Sequence, residues 1–267
     1  MKGNLILYKN TGSNDPFNAR LLFGVMHLRD HIVKNEAERL EFDNLYTPVF
    51  ESLDDCFECK NELVRLIKDH KEKIAKKEIV SFQNNYEILE IKESIDRKMN
   101  KLFKDFFIKG EIALKSLQFL TKKYDLDIGF FFQKDASFKK GIKKLENGNN
   151  ADQALSKMLV DDRKWRTLFN EIRSRIEHGG LSLGNIKYSH EKERVWTHIP
   201  MINSIEVDEV VQILGNNLFE FVEDLIAHMV AKNLKEPLCI VQIPEKDRDP
   251  SLPQKYVVGI KGINIKK

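Results

Sequence analysis

The chain has 267 residues, 42% of them hydrophobic and 32% charged, with a formal net charge of +3. That supplies apolar material for one large core or two smaller ones, and the near balance of charge excludes the strongly basic profile of a dedicated duplex-DNA binder. With only 13 glycines and 7 prolines, helices are favoured over a loop-rich β protein.

Residues 1–9 contain a short apolar run, Leu5–Tyr8, that reads as a strand. Thr11–Pro16 is turn chemistry, with Ser13 or Asp15 placed to cap the next element. Residues 17–46 read as a helix with Leu21, Leu22, Val25, Leu28 and Ile32 on one face, and Pro48 is expected to interrupt it. Residues 51–78 read as a second helix, its latter half laced with ion pairs. The longest helical pattern covers 85–123, through Ile88, Ile91, Ile95, Met99, Leu102, Phe103 and Phe106, with Gly110 as a candidate break. Phe130, Phe131 and Phe132 form a buried anchor, Lys139, Lys140, Lys143 and Lys144 a solvated basic face, and 146–150 a loop.

Asp152 is placed to cap a helix that runs to His178, where Gly179 and Gly180 stop it. Ile186–His190 and Val195–Ile199 predict a hairpin around Glu191–Arg194. Residues 206–233 carry a continuous apolar stripe from Val207 to Met229 and predict a strong helix. The tail from Pro237 holds two short β-like runs, Leu238–Ile243 and Tyr256–Ile260, which are candidates to pair with the N-terminal strand. The expected architecture is mainly α: a helical bundle with a small β hairpin and terminal strands. Residues 1–80 form a helical extension, 81–235 the central helical domain, and 236–267 the tail.

Three cysteines, Cys56, Cys59 and Cys239, do not make a disulfide framework. The N-terminal apolar run is too short for a secretory signal core, and no stretch approaches the roughly 18 apolar residues of a membrane helix. A cytoplasmic protein without membrane association is expected.

Chemistry concentrates in one segment, Arg173-Ser174-Arg175-Ile176-Glu177-His178. At about 100° per residue, Arg173 sits roughly 80° from Trp165 on the helix, and His178 about 140° beyond Arg173. The two side chains do not meet within one ideal helix. A distorted last turn, another element or a second subunit has to complete a joint site. A histidine at a helix C-terminus can exchange a proton near neutral pH, and a guanidinium can grip a phosphate and offset developing charge. Together they suit metal-free RNA cleavage by attack of a 2′-hydroxyl on the adjacent phosphate.

The Arg173–His178 segment resembles the Arg-x4-His pattern of the HEPN superfamily, with Ser174 as the small polar residue after the arginine. The surrounding helices of 85–233 are similar too. The resemblance implies a helical bundle that homodimerises, with two subunits building one cleft, and a metal-independent endoribonuclease of defence or toxin–antitoxin systems, partnered by RNA and by an antitoxin or regulatory protein. It gives Arg173 the scissile phosphate, His178 the acid–base role and Ser174 a supporting or RNA-binding role, with no cofactor and no metal. The competing reading is a non-catalytic interaction or nucleic-acid-binding module of the same fold. Glu171 and Arg175 are expected to form an ordinary surface pair.

Three other constellations are weaker. Cys56-x-x-Cys59 has half-site spacing but lacks a second pair. His27 and His31 stand one turn apart without the glutamate of a zincin. Asp224 and His228, also four apart, read as a hydrogen-bonded pair. Convergence of His27, His31, Asp224 and His228 would instead point to a metal-dependent helical enzyme.

Overall fold

The computed structural model describes residues 15–147 and 151–262. Among these the chain is mainly helical, with small antiparallel strand pairs. A π-helical segment, Asn18–Gly24, leads into α1 (Val25–Arg29). Then come α2 (Glu36–Ala75), β1 (Val80–Gln83), β2 (Ile88–Ile91), α3 (Asp96–Lys123), α4 (Asp135–Asn147), α5 (Gln153–Glu177), β3 (Lys187–Glu191), β4 (Arg194–His198), β5 (Met201–Ile202), β6 (Ile205–Glu206), α6 (Val207–Asn233), β7 (Leu238–Gln242) and β8 (Tyr256–Ile260). No helix among the described residues is long and apolar enough to cross a membrane.

The chain divides into two compact units. One takes the described residues of Met1–Phe50, Ser116–Phe130 and Glu220–Lys267; the other takes those of Glu51–Lys115 and Phe131–Phe219.

In the first unit, the Asp15 carboxylate accepts the Asn18 amide at 3.1 Å and opens the N-terminal helical segment as expected. The break falls at Asp30–Asn35, not at Pro48. Asn35 caps α2 by accepting from the Glu38 amide at 2.9 Å, and Glu38 reaches back to the Lys34 amide at 2.8 Å, a variant of the capping box. Pro48 lies inside α2. A proline there costs about 3 kcal/mol, and burial of Tyr46, Val49 and Phe50 around it offsets that cost. The tail strands pair with each other, Leu238 opposite Ile260 and Gln242 opposite Tyr256. The expected strand Leu5–Tyr8 lies outside the described residues.

Charges tie this unit together. Arg20 donates through Nε to Glu223 at 2.9 Å and through Nη2 to Glu220 at 2.7 Å. Lys255 donates to Glu220 and Asp224, each at 2.5 Å, and the Tyr256 hydroxyl donates to Asp224 at 2.9 Å.

In the second unit, residues 85–95 are not helical. Asn84, Asn85 and Tyr86 adopt positive φ, a conformation asparagine tolerates, and they turn the chain between β1 and β2. Val80 then faces Ile91 across the hairpin. Ile74, Ile79 and Val80 form a small core with Phe82, Leu89, Ile91, Tyr188 and Val195, which joins this hairpin to the expected one, β3–β4. α3 runs unbroken through Gly110. A Cβ at that position would stand 2.8 Å from Phe169 Cζ and 3.2 Å from Leu218 Cδ2, so the glycine serves close packing of α3 against α5 and α6. Phe106, Phe107 and Phe169 stack in this layer, with centroids of the Phe107–Phe169 pair 4.9 Å apart. Phe131 is fully buried as expected, while Phe130 and Phe132 are half-buried.

Candidate active site

α5 carries the segment that the sequence singles out. Its start is fixed by Asp152, whose carboxylate accepts the Leu155 amide at 3.0 Å. Leu155, Leu159, Trp165, Phe169 and Ile172 are buried and hold the helix against the core. The helix ends where predicted. Glu177 is its last residue, His178 caps it, and Gly179 takes φ of 71° to turn the chain away.

Arg173 is half-buried, and its Nη2 donates to Glu177 one turn on. Its Nε is buried without a hydrogen-bond partner. The expected pair Glu171–Arg175 does not form among the described residues; Arg173–Glu177 is the i,i+4 pair instead. Ser174 is half-buried, and its carbonyl accepts the His178 amide at 3.0 Å. His178 is exposed. Because α5 stays helical to Glu177, the divergence of about 140° between Arg173 and His178 stands. Within one chain the helix does not bring them together.

The same helix holds two arginines to which the sequence alone assigns no role. Relative to Arg166, helical geometry places Arg163 about 60° one way, Asn170 about 40° that way, and Arg173 about 20° the other. The four form one polar face along α5. Beside it lies a cleft of about 610 Å³ lined by Phe132, Lys134, Ser137, Arg163, Arg166 and Asn170 among others. Arg163 pins the cleft wall by donating to the carbonyls of Phe131 at 2.6 Å and Gln133 at 2.8 Å and to the Asp135 carboxylate at 3.0 Å. Its guanidinium also sits 4.6 Å from the Phe138 ring centroid.

Arg166 is 2% exposed. Its Nη2 lies 3.0 Å from Glu111 Oε2, an ion pair that lacks the alignment of a hydrogen bond. Its Nε and Nη1 are buried with no partner. Each buried donor left unpaired costs about 1–3 kcal/mol, more on a charged group. Burial lowers the Arg166 pKa; the Glu111 carboxylate opposes that shift, and Arg173 and Arg163 add to it. The sequence signal was the spacing of Arg163, Arg166 and Arg173 on one face, just upstream of the Arg–His segment.

The remaining candidates find ordinary uses. Cys56 is buried, with its thiol 3.3 Å from the Phe106 carbonyl, and burial pushes its pKa up. Burial likewise raises Cys59, to about 11. Neither is an activated thiolate. His27 and His31 contact each other edge to face at 5.1 Å, and burial lowers the His27 pKa. Asp224 is held by Lys255 and Tyr256. Among the described residues the acidic trio Glu220, Glu223 and Asp224 brings ligand atoms within 4.8 Å of one another, without the histidines His27, His31 and His228. Arg20 and Lys255 already neutralise it. Lys139, Lys140, Lys143 and Lys144 are solvated on α4 or its last turn, as expected.

No family model, curated protein or solved structure matches the chain.

Proposed function

We propose that the chain is a metal-independent endoribonuclease of HEPN-like fold, acting in the cytoplasm through a composite site built by two copies of α5. The supporting observation is the end of that helix. His178 is exposed at the C-cap, and Arg173 stands one turn earlier, turned about 140° away. A pair of motif helices related by two-fold symmetry supplies the missing convergence, with Arg173 of one copy facing His178 of the other.

In that arrangement His178 takes the proton of a 2′-hydroxyl. The oxygen attacks the neighbouring phosphorus, the bond to the 5′-oxygen breaks, and the same imidazole, now protonated, returns its proton to that leaving oxygen. The products are a 2′,3′-cyclic phosphate and a 5′-hydroxyl. Arg173 leaves Glu177 to hold the phosphate oxygens, on which charge builds in the transition state. Ser174 supports the arginine or the strand by hydrogen bonding. An antitoxin or regulatory protein that covers the cleft would hold such an activity in check.

The test is RNA cleavage by purified protein in excess EDTA. Wild type is expected to yield cyclic-phosphate ends, and His178→Ala and Arg173→Ala are each expected to lose about 100-fold or more in rate with helical content unchanged. Cleavage that survives both substitutions removes this pair from the mechanism. Absence of cleavage across varied RNAs favours the second reading, a non-catalytic interaction or nucleic-acid-binding module. The engagement of Arg173 by Glu177 speaks for that reading.

A further inference from the structure

Arg166 is an unusual side chain for a protein with no ligand chemistry at that place. It is almost wholly buried, it lines a polar cleft, and it meets one carboxylate through one nitrogen only. Nε and Nη1 have no protein partner and are closed to solvent, so a ligand in the cleft reaches them once the guanidinium turns outward from Glu111. Glu111 therefore answers the charge but not the donors.

The cleft around it is built. Arg163 fixes the Phe131–Asp135 wall by three hydrogen bonds, and those bonds occupy its Nη1 and Nη2. The Arg166 guanidinium lies 5.2 Å from the centroid of the half-buried Phe132 ring. Ser137, Thr167 and Asn170 add neutral hydrogen-bonding side chains to the lining. Asp135 and Glu171 also line it and are exposed, so the cleft itself suits one phosphate rather than a run of adjacent phosphates such as a triphosphate.

We infer that this cleft seats one phosphate group, with the buried Arg166 as its principal donor and Asn170 and Thr167 at its lip. A planar fork of N–H groups matches the oxygens of a phosphate, and the Phe132 ring beside it offers a face on which a base can stack. The phosphate belongs either to a nucleotide within an RNA strand or to a small phosphate ester. The site depends on binding alone and stands apart from the proposed cleavage reaction. From Arg166 to Arg173 is about 10 Å along the helix axis, so a strand seated here runs towards the Arg–His segment.

The experiment uses the full chain carrying His178→Ala, so that RNA stays intact whatever the chemistry of the Arg–His pair. Inorganic phosphate and a short single-stranded RNA with a 5′-hydroxyl are titrated by calorimetry. The same titrations are made on Thr167→Glu and Asn170→Asp, which place a negative charge at the exposed lip without touching the core, and on Arg166→Lys. Saturable binding of either probe, weakened about tenfold or more by the lip variants and by Arg166→Lys with folding intact, is the expected result. Phosphate binding identifies a small ester, and binding of RNA alone identifies the diester strand. Absence of binding by both probes overturns the inference, as does affinity that all three variants leave unchanged. Cleavage of RNA plays no part in the readout, so failure here and failure of the ribonuclease reading remain separate results.

Discussion

Arg166 of α5 and Glu111 of α3 form an ion pair at 3.0 Å with side chains 3% and 10% exposed. Burying two charges costs several kcal/mol, and the attraction repays it only when the remaining donors are satisfied. Here the arginine keeps two donors unpaired. The pair is thus better suited to holding a guanidinium in place than to stabilising the fold.

Single and double substitutions separate those two roles. Arg166→Met leaves the Glu111 carboxylate buried and alone and is expected to cost about 3–5 kcal/mol. Adding Glu111→Leu removes the stranded charge and is expected to recover most of the loss. Urea unfolding of both variants checks this; a double variant no more stable than Arg166→Met would mean that the pair itself supports the fold.

Gly110 sets packing against helix propensity. Alanine in mid-helix is favoured over glycine by about 1 kcal/mol. The added methyl, however, would stand 2.8 Å from the ring of the fully buried Phe169. Overpacking of that kind costs about 1–3 kcal/mol, so Gly110→Ala is expected to lower the melting temperature by a few degrees. A rise would show that Phe169 yields freely.

His70 couples stability to pH. Its Nε2 lies 2.7 Å from the Tyr188 hydroxyl, and Nδ1 is buried without a partner. Burial lowers its pKa, with Lys73 acting in the same direction and Glu93 and Asp96 opposing. The unfolded imidazole titrates near 6.5, so just below that value the unfolded chain binds more protons than the folded one. The contribution of this group is complete above about 6.5 and is lost as pH falls from there towards the depressed folded value. His70→Gln is expected to flatten the fall in urea midpoint between pH 7.5 and 5.5; an unchanged slope would place the acid sensitivity elsewhere.

Much of the fold follows from local signals. The stripe of α6, the Asp152 cap, the glycine stop after His178 and the β3–β4 hairpin all rest on contacts within a few residues, and all appear where the sequence puts them. The misplaced elements depend on distant packing or on ambiguous spacing. Pro48 stays in α2 because its neighbours are buried. Ile88 and Ile91 suit a helix by spacing, but the left-handed turn at Asn84–Tyr86 commits them to a strand. At the site, Arg173, Ser174 and His178 were legible as a pattern. Arg163 and Arg166 share that helix face by spacing, but what each side chain does comes from Glu111 and from the carbonyls of Phe131 and Gln133, all remote in sequence.

Arg173 of one copy is proposed to work with His178 of another, and the most direct measurement of that pairing is cleavage by a re-annealed mixture of the Arg173→Ala and His178→Ala chains. Equal mixing makes half of the dimers mixed, and each mixed dimer holds one intact site of two, so about one quarter of wild-type activity should return where neither variant alone has any. An active wild type whose two variants stay inactive when mixed would contradict the composite site.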